Sequence, residues 1–205
     1  MSVLDWKKYP RCAKFMHTRQ KEHIETDYPT DEDKEWDYIL DELENKLKKV
    51  PTREQKEWIK TSGNYLHQVV YAHYFLGDSH WFITQYEKNY NNLWGYVVLN
   101  GDTEMSELGA ISLEELTTLE FTQKAMLNGR IMSIPVYPQL DFHWSPIYLT
   151  EALHDKFPNA FPESDLFFSR KPRFEVGDLA ENKSDSGKAL GNLSCKASVR
   201  YTGDQ

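Results

Sequence analysis

The sequence predicts an α+β fold in which N-terminal helices precede a small antiparallel sheet with a short packed helix and a flexible C-terminal tail. Three observations support this prediction. Apolar residues at helical spacing, from Trp36 to Leu47, lie within a highly charged segment. From residue 65 onward, runs rich in β-branched and aromatic residues are separated by turn residues. From Leu179 onward the chain is polar and rich in Ser, Gly, Lys and Asn, which is typical of segments without a packed core.

The size and composition indicate one domain, with or without an extension, in the cytoplasm. Of the 205 residues, 40% are hydrophobic and 14% aromatic, which is enough for a substantial core. No apolar run approaches the ~20 residues that span a bilayer, and the first ten residues contain no apolar signal segment. Because Cys12 and Cys195 are far apart in sequence, we expect no disulfide framework and no thiolate metal site. No cofactor is predicted.

The net charge of -8 is distributed unevenly along the chain. Residues 1–21 carry a balance of +5, residues 22–44 a balance of -10, and the remainder only -3. A role in binding nucleic acid is therefore not expected for the chain as a whole. The acidic block is either a solvated helix face or a docking surface for a basic partner. The residues predicted to contact such a partner are Asp31, Glu32, Asp33, Glu35, Trp36, Asp37, Asp41 and Glu42.

The acidic block predicts a helix over residues 31–49. Thr30 is a suitable N-cap, acidic residues in the first turn match the helix dipole, and Pro51 ends the helix. A second helix is predicted to begin at Thr52, with Gln55 completing a capping box. We assign residues 1–64 to this helical, acidic extension.

The segment 65–157 is predicted to form the antiparallel domain. Four strands are expected, over residues 65–75, 80–86, 93–99 and 108–111. Ser112 begins a two-turn helix with a capping box, Asn128–Gly129 predicts a hairpin, and a short helix starts near Thr150. Residues 158–178 are predicted to pack on this domain as an aromatic and Pro-rich segment, and residues 179–205 form the tail.

Part of this domain resembles a known family. The carrying segments are Trp81-Phe-Ile-Thr-Gln-Tyr86, Gly95-Tyr-Val-Val98, Glu107-Leu-Gly-Ala-Ile-Ser-Leu-Glu-Glu-Leu116 and residues 141–149. Together they resemble an uncharacterised bacterial domain family, carried mainly by plasmids, integrative elements and phages and catalogued as a domain of unknown function. The resemblance covers about residues 66–153 and implies a structural role for Trp81, Thr84, Gly95, Glu107, Gly109, Ser112, Leu113 and Asp141.

The departures from that family pattern concern its charged positions. A family Glu falls on Gln85, and a Glu-Arg-Asp segment falls on Gln139, Leu140 and Asp141, so that only the Asp is kept. An amide cannot act as a base, so any carboxylate-dependent catalysis of the family is expected to be lost here. The remaining motif residues are interpreted as structural: Gly109 for a backbone turn, Ser112 for a cap, and Trp81 and Leu113 for the core.

Histidines provide the candidates for chemistry in the sheet. His67 and His73 are six residues apart on one predicted strand, His80 lies on the next strand and His143 follows later, which with Asp141 could form a zinc site. No local ligand spacing favours a metal, and we predict none. Asp141 and His143 also share a face of an extended segment, which is compatible with a catalytic triad, but no nucleophile motif accompanies them.

These observations predict a non-enzymatic accessory protein of a phage or mobile element that binds and inhibits a host protein in counter-defence. The partner would carry a basic or nucleic-acid-binding surface, steered by the acidic block and anchored on Trp36. It would act in the host cytoplasm, without binding nucleic acid or membrane directly. One alternative is a small hydrolase or ligand-binding module with a site around Trp81, Asp141 and His143. Another is an oligomerisation role for the Trp36–Leu47 stripe.

Overall fold

The N-terminal part of the chain folds into three helices. The structure is a computed structural model that describes residues 4–28, 33–52, 67–88, 90–127 and 129–162. The helices are α1 (Pro10–Phe15), α2 (Thr18–Asp27) and α3 (Asp33–Lys48). The predicted helix at 31–49 is therefore confirmed over the residues described. Thr52, the predicted start of the second helix, forms an isolated β-bridge with Tyr86, and the rest of that predicted helix and the predicted tail lie outside the described residues.

Helices α1 and α2 are not predicted from the sequence, and their local signals explain why. The six-residue α1 begins with Pro10, a favourable first helical residue, but the preceding Tyr9 provides no side-chain cap. The cap of α2 is a histidine, a residue that is rarely counted among N-caps: His17 Nδ1 accepts a hydrogen bond from the Arg19 N–H at 3.0 Å. Both helices depend on tertiary contacts more than on local sequence.

Nine strands follow the helices in the part of the chain that the structure describes. In chain order they are β1 (Val69–Val70), β2 (Ala72–Leu76), β3 (Ser79–Glu87), β4 (Asn92–Leu99), β5 (Asp102–Ser112), β6 (Phe121–Leu127), β7 (Arg130–Val136), β8 (Gln139–Leu140) and β9 (Ile147–Tyr148). A five-stranded antiparallel sheet has the order β5-β4-β3-β2-β8, and the remaining strands form the pairs β1–β9 and β6–β7. Helix α4 (Leu113–Thr118) follows β5, and helix α5 (Leu149–Lys156) follows β9. The predicted α+β class is correct.

Two strand predictions need correction. The strand predicted over 65–75 is divided at Tyr71, because β1 pairs with β9 whereas β2 pairs with β3. The strand predicted at 108–111 is part of the eleven-residue β5, whose polar first half conceals it in the sequence. β5 is joined to β4 by Asn100 and Gly101, which have φ values of 52° and 72°. Two successive positive φ values are typical of a type I′ hairpin turn, which matches the right-handed twist of the strands.

Both faces of the central sheet are buried. Because side chains alternate along a strand, Tyr74 and Ile83 point to one face, where they share a hydrophobic cluster with residues of α1, α2 and α3. Phe82 and Val98 point to the other face and share a second cluster with Leu153 of α5. The sheet is therefore the middle layer between the N-terminal helices and α5.

The N-terminal helices also protect one edge of the sheet. The buried side chain of Gln20 in α2 donates to the Leu140 carbonyl at 3.1 Å and accepts from the Leu140 N–H at 3.0 Å. The amide thereby satisfies backbone groups of the edge strand β8, as a further strand would. On the sheet face, the buried Tyr74 hydroxyl donates to the Phe15 carbonyl at 2.5 Å. Residues 4–50 and the sheet thus share one core, and the predicted boundary at residue 64 does not separate two cores.

Two short segments lie at the start of α4 and after α5. Ser112 caps α4 by accepting the Glu115 N–H at 3.1 Å, as the capping box predicts. Phe157 and Phe161 pack against the cluster around α5, and residues 163–178 lie outside the described part. Within the described residues no helix has both the length and the apolar composition needed to cross a membrane.

We expect Gly95→Ala to lower the free energy of unfolding by about 2 kcal/mol or more. A Cβ atom at Gly95 would lie 2.1 Å from the carbonyl oxygen of Phe82 on the neighbouring strand, so backbone must move. Gly109 is the direct strand partner of Gly95, but a Cβ there would meet nothing within 4 Å. Gly109→Ala is therefore the matched control and should stay within about 0.5 kcal/mol of the parent. Urea denaturation of both variants tests this, and equal losses would contradict it.

Candidate functional site

The predicted partner-binding residues fall into three groups in the structure. Asp31 and Glu32 lie outside the described residues, and Asp33 begins α3. Asp37 is partly buried and bonded within the protein. Glu35, Asp41 and Glu42 are exposed on α3. The acidic block therefore has an internal and an external part.

Asp37 belongs to the internal part. Its Oδ1 accepts hydrogen bonds from the hydroxyls of Tyr9 at 2.8 Å and Tyr28 at 3.1 Å, and the Lys8 ammonium lies 3.7 Å away. The hydrogen bond from Tyr9 is the main cause that holds the pKa of Asp37 below its usual value. The carboxylate thus ties α3 to the chain before α1 and to the end of α2. These contacts engage Asp37 within the fold, while its side chain stays 40% exposed.

Glu44 is the second internal carboxylate, and it is not among the residues predicted from the sequence to contact a partner. It is 3% exposed, and its Oε2 accepts the backbone N–H groups of Arg11 at 2.8 Å and Cys12 at 2.9 Å. These are N–H groups of the first turn of α1, which has no cap of its own, so α3 supplies the cap. Its buried Oε1 has the Lys48 ammonium 3.8 Å away. No local sequence signal could reveal this, because the partners are 32 and 33 residues apart.

The external part forms a surface that we call the α3 face, comprising Glu35, Tyr38, Asp41 and Glu42. These side chains recur at helical spacing, and all are exposed, with Tyr38 at 69%. Asp41 lies 3.9 Å from Lys8, and Glu42 forms an ion pair with Lys46 at 2.7 Å. The Lys46 pair is the largest cause that holds the pKa of Glu42 below its usual value. An exposed aromatic ring surrounded by carboxylates is the main feature of this surface.

Trp36 does not belong to the α3 face: it is partly buried within the protein, and its predicted role as a partner anchor stays a prediction. It packs against the hydrophobic core and makes an edge-to-face contact with Phe142, at 6.3 Å between ring centroids. Leu40, Leu43 and Leu47 are buried in the same cluster. The apolar stripe of α3 is therefore covered by the chain's own residues, and it is not free for the alternative oligomerisation role.

A second constellation lies on the α5 side of the sheet. Asp141 Oδ2 is 3.1 Å from His73 Nδ1, and His73 Nε2 is 2.9 Å from His80 Nδ1. A carboxylate only accepts, so His73 holds its proton on Nδ1 and accepts at Nε2 from the Nδ1–H of His80. The three groups form a hydrogen-bonded chain, which we call the Asp–His–His chain. A proton taken up at His80 Nε2 can pass along it to His73, beside Asp141.

Aromatic rings enclose this chain. His73 is 1% exposed and stacks on His80 and Phe82, with ring centroids 5.2 and 5.1 Å apart. Trp144 lies against His73, its indole N–H donates to the Val70 carbonyl at 3.0 Å, and Phe157 meets His80 edge-on. The imidazoles are therefore separated from bulk water on most sides.

The pKa values reflect this enclosure. Burial is the main cause that lowers the pKa of His73, opposed by Asp141. Burial, followed by the positive charges of His73 and Lys156, lowers the pKa of His80 to about 4. Burial alone would raise the pKa of Asp141, but the hydrogen bond and charge of His73 and the His143 N–H outweigh it and leave that pKa below its usual value. At neutral pH the chain holds one carboxylate and two neutral imidazoles.

This arrangement differs from the two sites considered from the sequence, a zinc site of histidines with Asp141 and a catalytic pair of Asp141 with His143. His143 is exposed and contacts Asp141 through its backbone N–H at 3.0 Å, so His73 is the imidazole partner of Asp141. His67 precedes β1 and does not share a strand with His73, because the strand is divided at Tyr71. Trp81, between His80 and Phe82 on β3, packs with the core on the opposite face. A site around Trp81, Asp141 and His143 is therefore not assembled. Within the described residues, no group of three His, Cys, Asp or Glu side chains could hold a metal ion.

The other positions that carry the family resemblance are partly buried in the fold and partly exposed. Leu113 is buried, and the buried Thr84 hydroxyl donates to the Trp94 carbonyl at 3.2 Å. Glu107 is exposed on β5. Gly109 lies within β5, not in a turn, which corrects its predicted role. Gln85, at a position where the family has Glu, is buried and donates to the Gln68 side chain at 3.3 Å.

Comparison with protein-family models, curated proteins and solved structures finds no match to this chain. The family resemblance therefore stays a prediction from the sequence, and the function must be argued from the site itself.

We predict that Glu44→Ala lowers the free energy of unfolding by about 2 kcal/mol, because the first-turn N–H groups of α1 lose their buried acceptor. Glu44→Gln, which keeps one carbonyl oxygen, should lose less. Glu42→Ala removes a neighbouring acid whose side chain is 48% exposed, and should change stability by at most about 0.5 kcal/mol. Chemical denaturation of the three variants measures the difference. Similar losses in Glu42→Ala and Glu44→Ala would show that Glu44 has no special role.

The Asp–His–His chain predicts how stability depends on pH. The pKa of His80 is about 4 in the folded protein against its ordinary value of 6.5, so between these values only the unfolded state binds the proton. Its contribution to stability is complete above pH 6.5 and declines as the pH falls toward 4, by at most about 1.4 kcal/mol per pH unit. His73 acts in the same direction.

His80→Asn keeps an N–H donor near the Nδ1 position but does not titrate, so we expect a shallower fall in stability over this pH range. Thermal unfolding from pH 7 to pH 4 measures it, with His143→Asn, an exposed histidine, as the control. An unchanged slope in His80→Asn would refute the assignment.

Proposed function

We propose that this protein acts without catalysis by binding a basic surface of a host protein through the α3 face. In this proposal it is an accessory protein of a phage or mobile element that inhibits its target in counter-defence. The genomic setting is supported by the family resemblance of residues 66–153 alone. The mode of binding is supported by one observation in the structure: Tyr38 is 69% exposed at the centre of a face with three exposed acids.

Each part of the α3 face has a physical role in such binding. Tyrosine is enriched at protein interfaces because it buries a large ring while its hydroxyl can still form hydrogen bonds. Carboxylates around it attract a basic partner and raise the association rate, an effect that falls as salt increases. The Asp41–Lys8 ion pair is on the surface, so exchanging Lys8 for a partner cation costs little. The Glu42 side chain is 48% exposed and is open to a partner on the side away from Lys46.

The internal acids support this proposal indirectly. Asp37 and Glu44 tie α3 to α1 and α2, so the helix presents its outer face from a fixed position. A rigid face loses little conformational entropy on binding. The proposal therefore differs from the sequence-based one in its anchor, which is Tyr38 in place of Trp36.

The Asp–His–His chain favours a second candidate function, a hydrolytic or ligand-binding site at His80. A carboxylate that orients one imidazole, which in turn orients another, would let His80 Nε2 accept a proton from water or a substrate hydroxyl. The low pKa of His80, about 4, makes it a weak base at neutral pH. For this reason the protein-binding function ranks first. A loss of any hydrolytic activity in His80→Asn, with the fold retained, would reverse this order.

The decisive experiment compares two charge-reversed variants with the parent protein. The test variant carries Glu35→Lys, Asp41→Lys and Glu42→Lys. The control variant carries Glu104→Lys, Glu107→Lys and Asp155→Lys, which changes the net charge equally at exposed positions outside the α3 face. All three proteins serve as bait in extracts of the natural host, and the captured protein is identified, purified and titrated calorimetrically at low and high salt.

We expect the test variant to bind at least tenfold more weakly than the parent, and the control variant to bind within about threefold of it, since the two share one net charge. Tyr38→Ala should also weaken binding. The affinity of the parent protein for its partner should fall as the salt concentration rises. Equal binding by parent and test variant would exclude the α3 face. Equal weakening by both charge variants would show that only net charge matters.

A further inference from the structure

The β6–β7 hairpin is an arm that the described structure leaves largely uncovered. We call residues Phe121–Val136 the arm. Its two strands pair with each other, and neither packs extensively against another described element. A two-stranded ribbon is only marginally stable alone in water, because it has no third strand and no covering layer. The arm therefore has the structure of an element that is completed by another surface.

The side chains of the arm support the same conclusion. Near its tip, Met126 is opposite Ile131 and Ala125 is opposite Met132, so successive pairs lie on opposite faces of the ribbon. Met126 is 74% exposed and Ile131 is 71% exposed, and Met132 and Phe121 are also exposed. Large apolar side chains clustered on an exposed element are typical of interaction surfaces.

The charge of the arm indicates what it binds. The segment contains Lys124 and Arg130 but no Asp or Glu. In a protein of net charge -8, an acid-free stretch of this length with an apolar tip is complementary to an acidic surface with an aromatic centre. The α3 face of the same chain has this character, with Tyr38 among Glu35, Asp41 and Glu42.

We propose that the arm binds the α3 face of a second copy of this chain. Met126 and Ile131 pack on Tyr38, while Lys124, on the same face of the ribbon, pairs with a surrounding carboxylate. Arg130 points to the opposite face and adds to the local positive charge. Each strand of the arm has seven residues, so it extends roughly 20 Å, enough to reach across to a neighbouring molecule. Reciprocal binding of both arms closes a two-fold dimer, the commonest form of oligomer.

This inference goes beyond the proposed function and does not depend on it. Two arms pairing with each other would bring like charges together, which is unfavourable, so the arm-to-helix contact is preferred. Because the dimer contact and the basic host partner use the same α3 face, the two interactions are mutually exclusive. The dimer is tested on the purified protein alone, so its failure would leave the host-binding experiment unaffected.

The test is a sedimentation-equilibrium series on the full chain at low and high salt. We expect the mass to approach twice 24.1 kDa as concentration rises, with weaker association at high salt. Met126→Thr with Ile131→Thr should weaken the dimer at least tenfold. The control pair, Leu99→Thr with Met105→Thr, removes exposed apolar side chains elsewhere and should not.

A charge exchange identifies the contact itself. The arm variant Lys124→Glu with Arg130→Glu should be monomeric, and so should Glu35→Lys with Asp41→Lys and Glu42→Lys. Combining all five substitutions in one chain should restore the dimer, which a misfolded variant could not do. A monomer at every concentration would overturn the proposal. The proposal would equally be overturned if the arm variants still formed the dimer. It would also be overturned if the chain carrying all five substitutions stayed monomeric.

Discussion

The two-sided burial of the central sheet is the constraint on which the rest of the structure depends. Strand β3 places Ile83 on one face and Phe82 on the other, and both are fully buried, so each face needs its own cover. The N-terminal helices cover the first face and α5 covers the second. The short helices α1 and α2 exist because this burial stabilises them, since neither is long enough to be stable alone. The same constraint explains Gly95, where strand β4 approaches Phe82 too closely for a side chain.

The cover over the first face also divides the acidic block. Helices α1 and α3 meet at the sheet, and this brings Glu44 to the uncapped first turn of α1 and Asp37 to the hydroxyls of Tyr9 and Tyr28. A carboxylate at a helix N-terminus is favoured both by its hydrogen bonds and by the helix dipole. The charge of the block is therefore partly used in folding. Exposed acids of the block remain on the outer side of α3 and, at Glu22 and Glu25, on α2.

Elements with a strong local pattern could be predicted, and contacts between distant residues could not. The helix α3, the hairpin β6–β7 and the cap at Ser112 follow from periodicity and turn residues, and each was predicted. The polar half of β5 and the histidine cap of α2 have no such signal. The pairing of His73 with Asp141 spans 68 residues, so the sequence suggested His143 in its place. The stripe from Trp36 to Leu47 is predicted by its helical spacing, whereas the contact of Trp36 with Phe142 joins residues far apart in sequence and could not be predicted.

The two layers around the sheet also explain where exposed apolar and charged surface remains. Apolar side chains that the layers can reach are buried, and edge strand β8 is closed by Gln20. The arm extends beyond both layers, so its Met126 and Ile131 keep their exposure while nearby Lys124 and Arg130 keep a local positive charge. The α3 face is the outer surface of the first layer and keeps the negative charge. Opposite charges and exposed apolar groups thus lie on separate elements of one chain, so the two surfaces are complementary in charge.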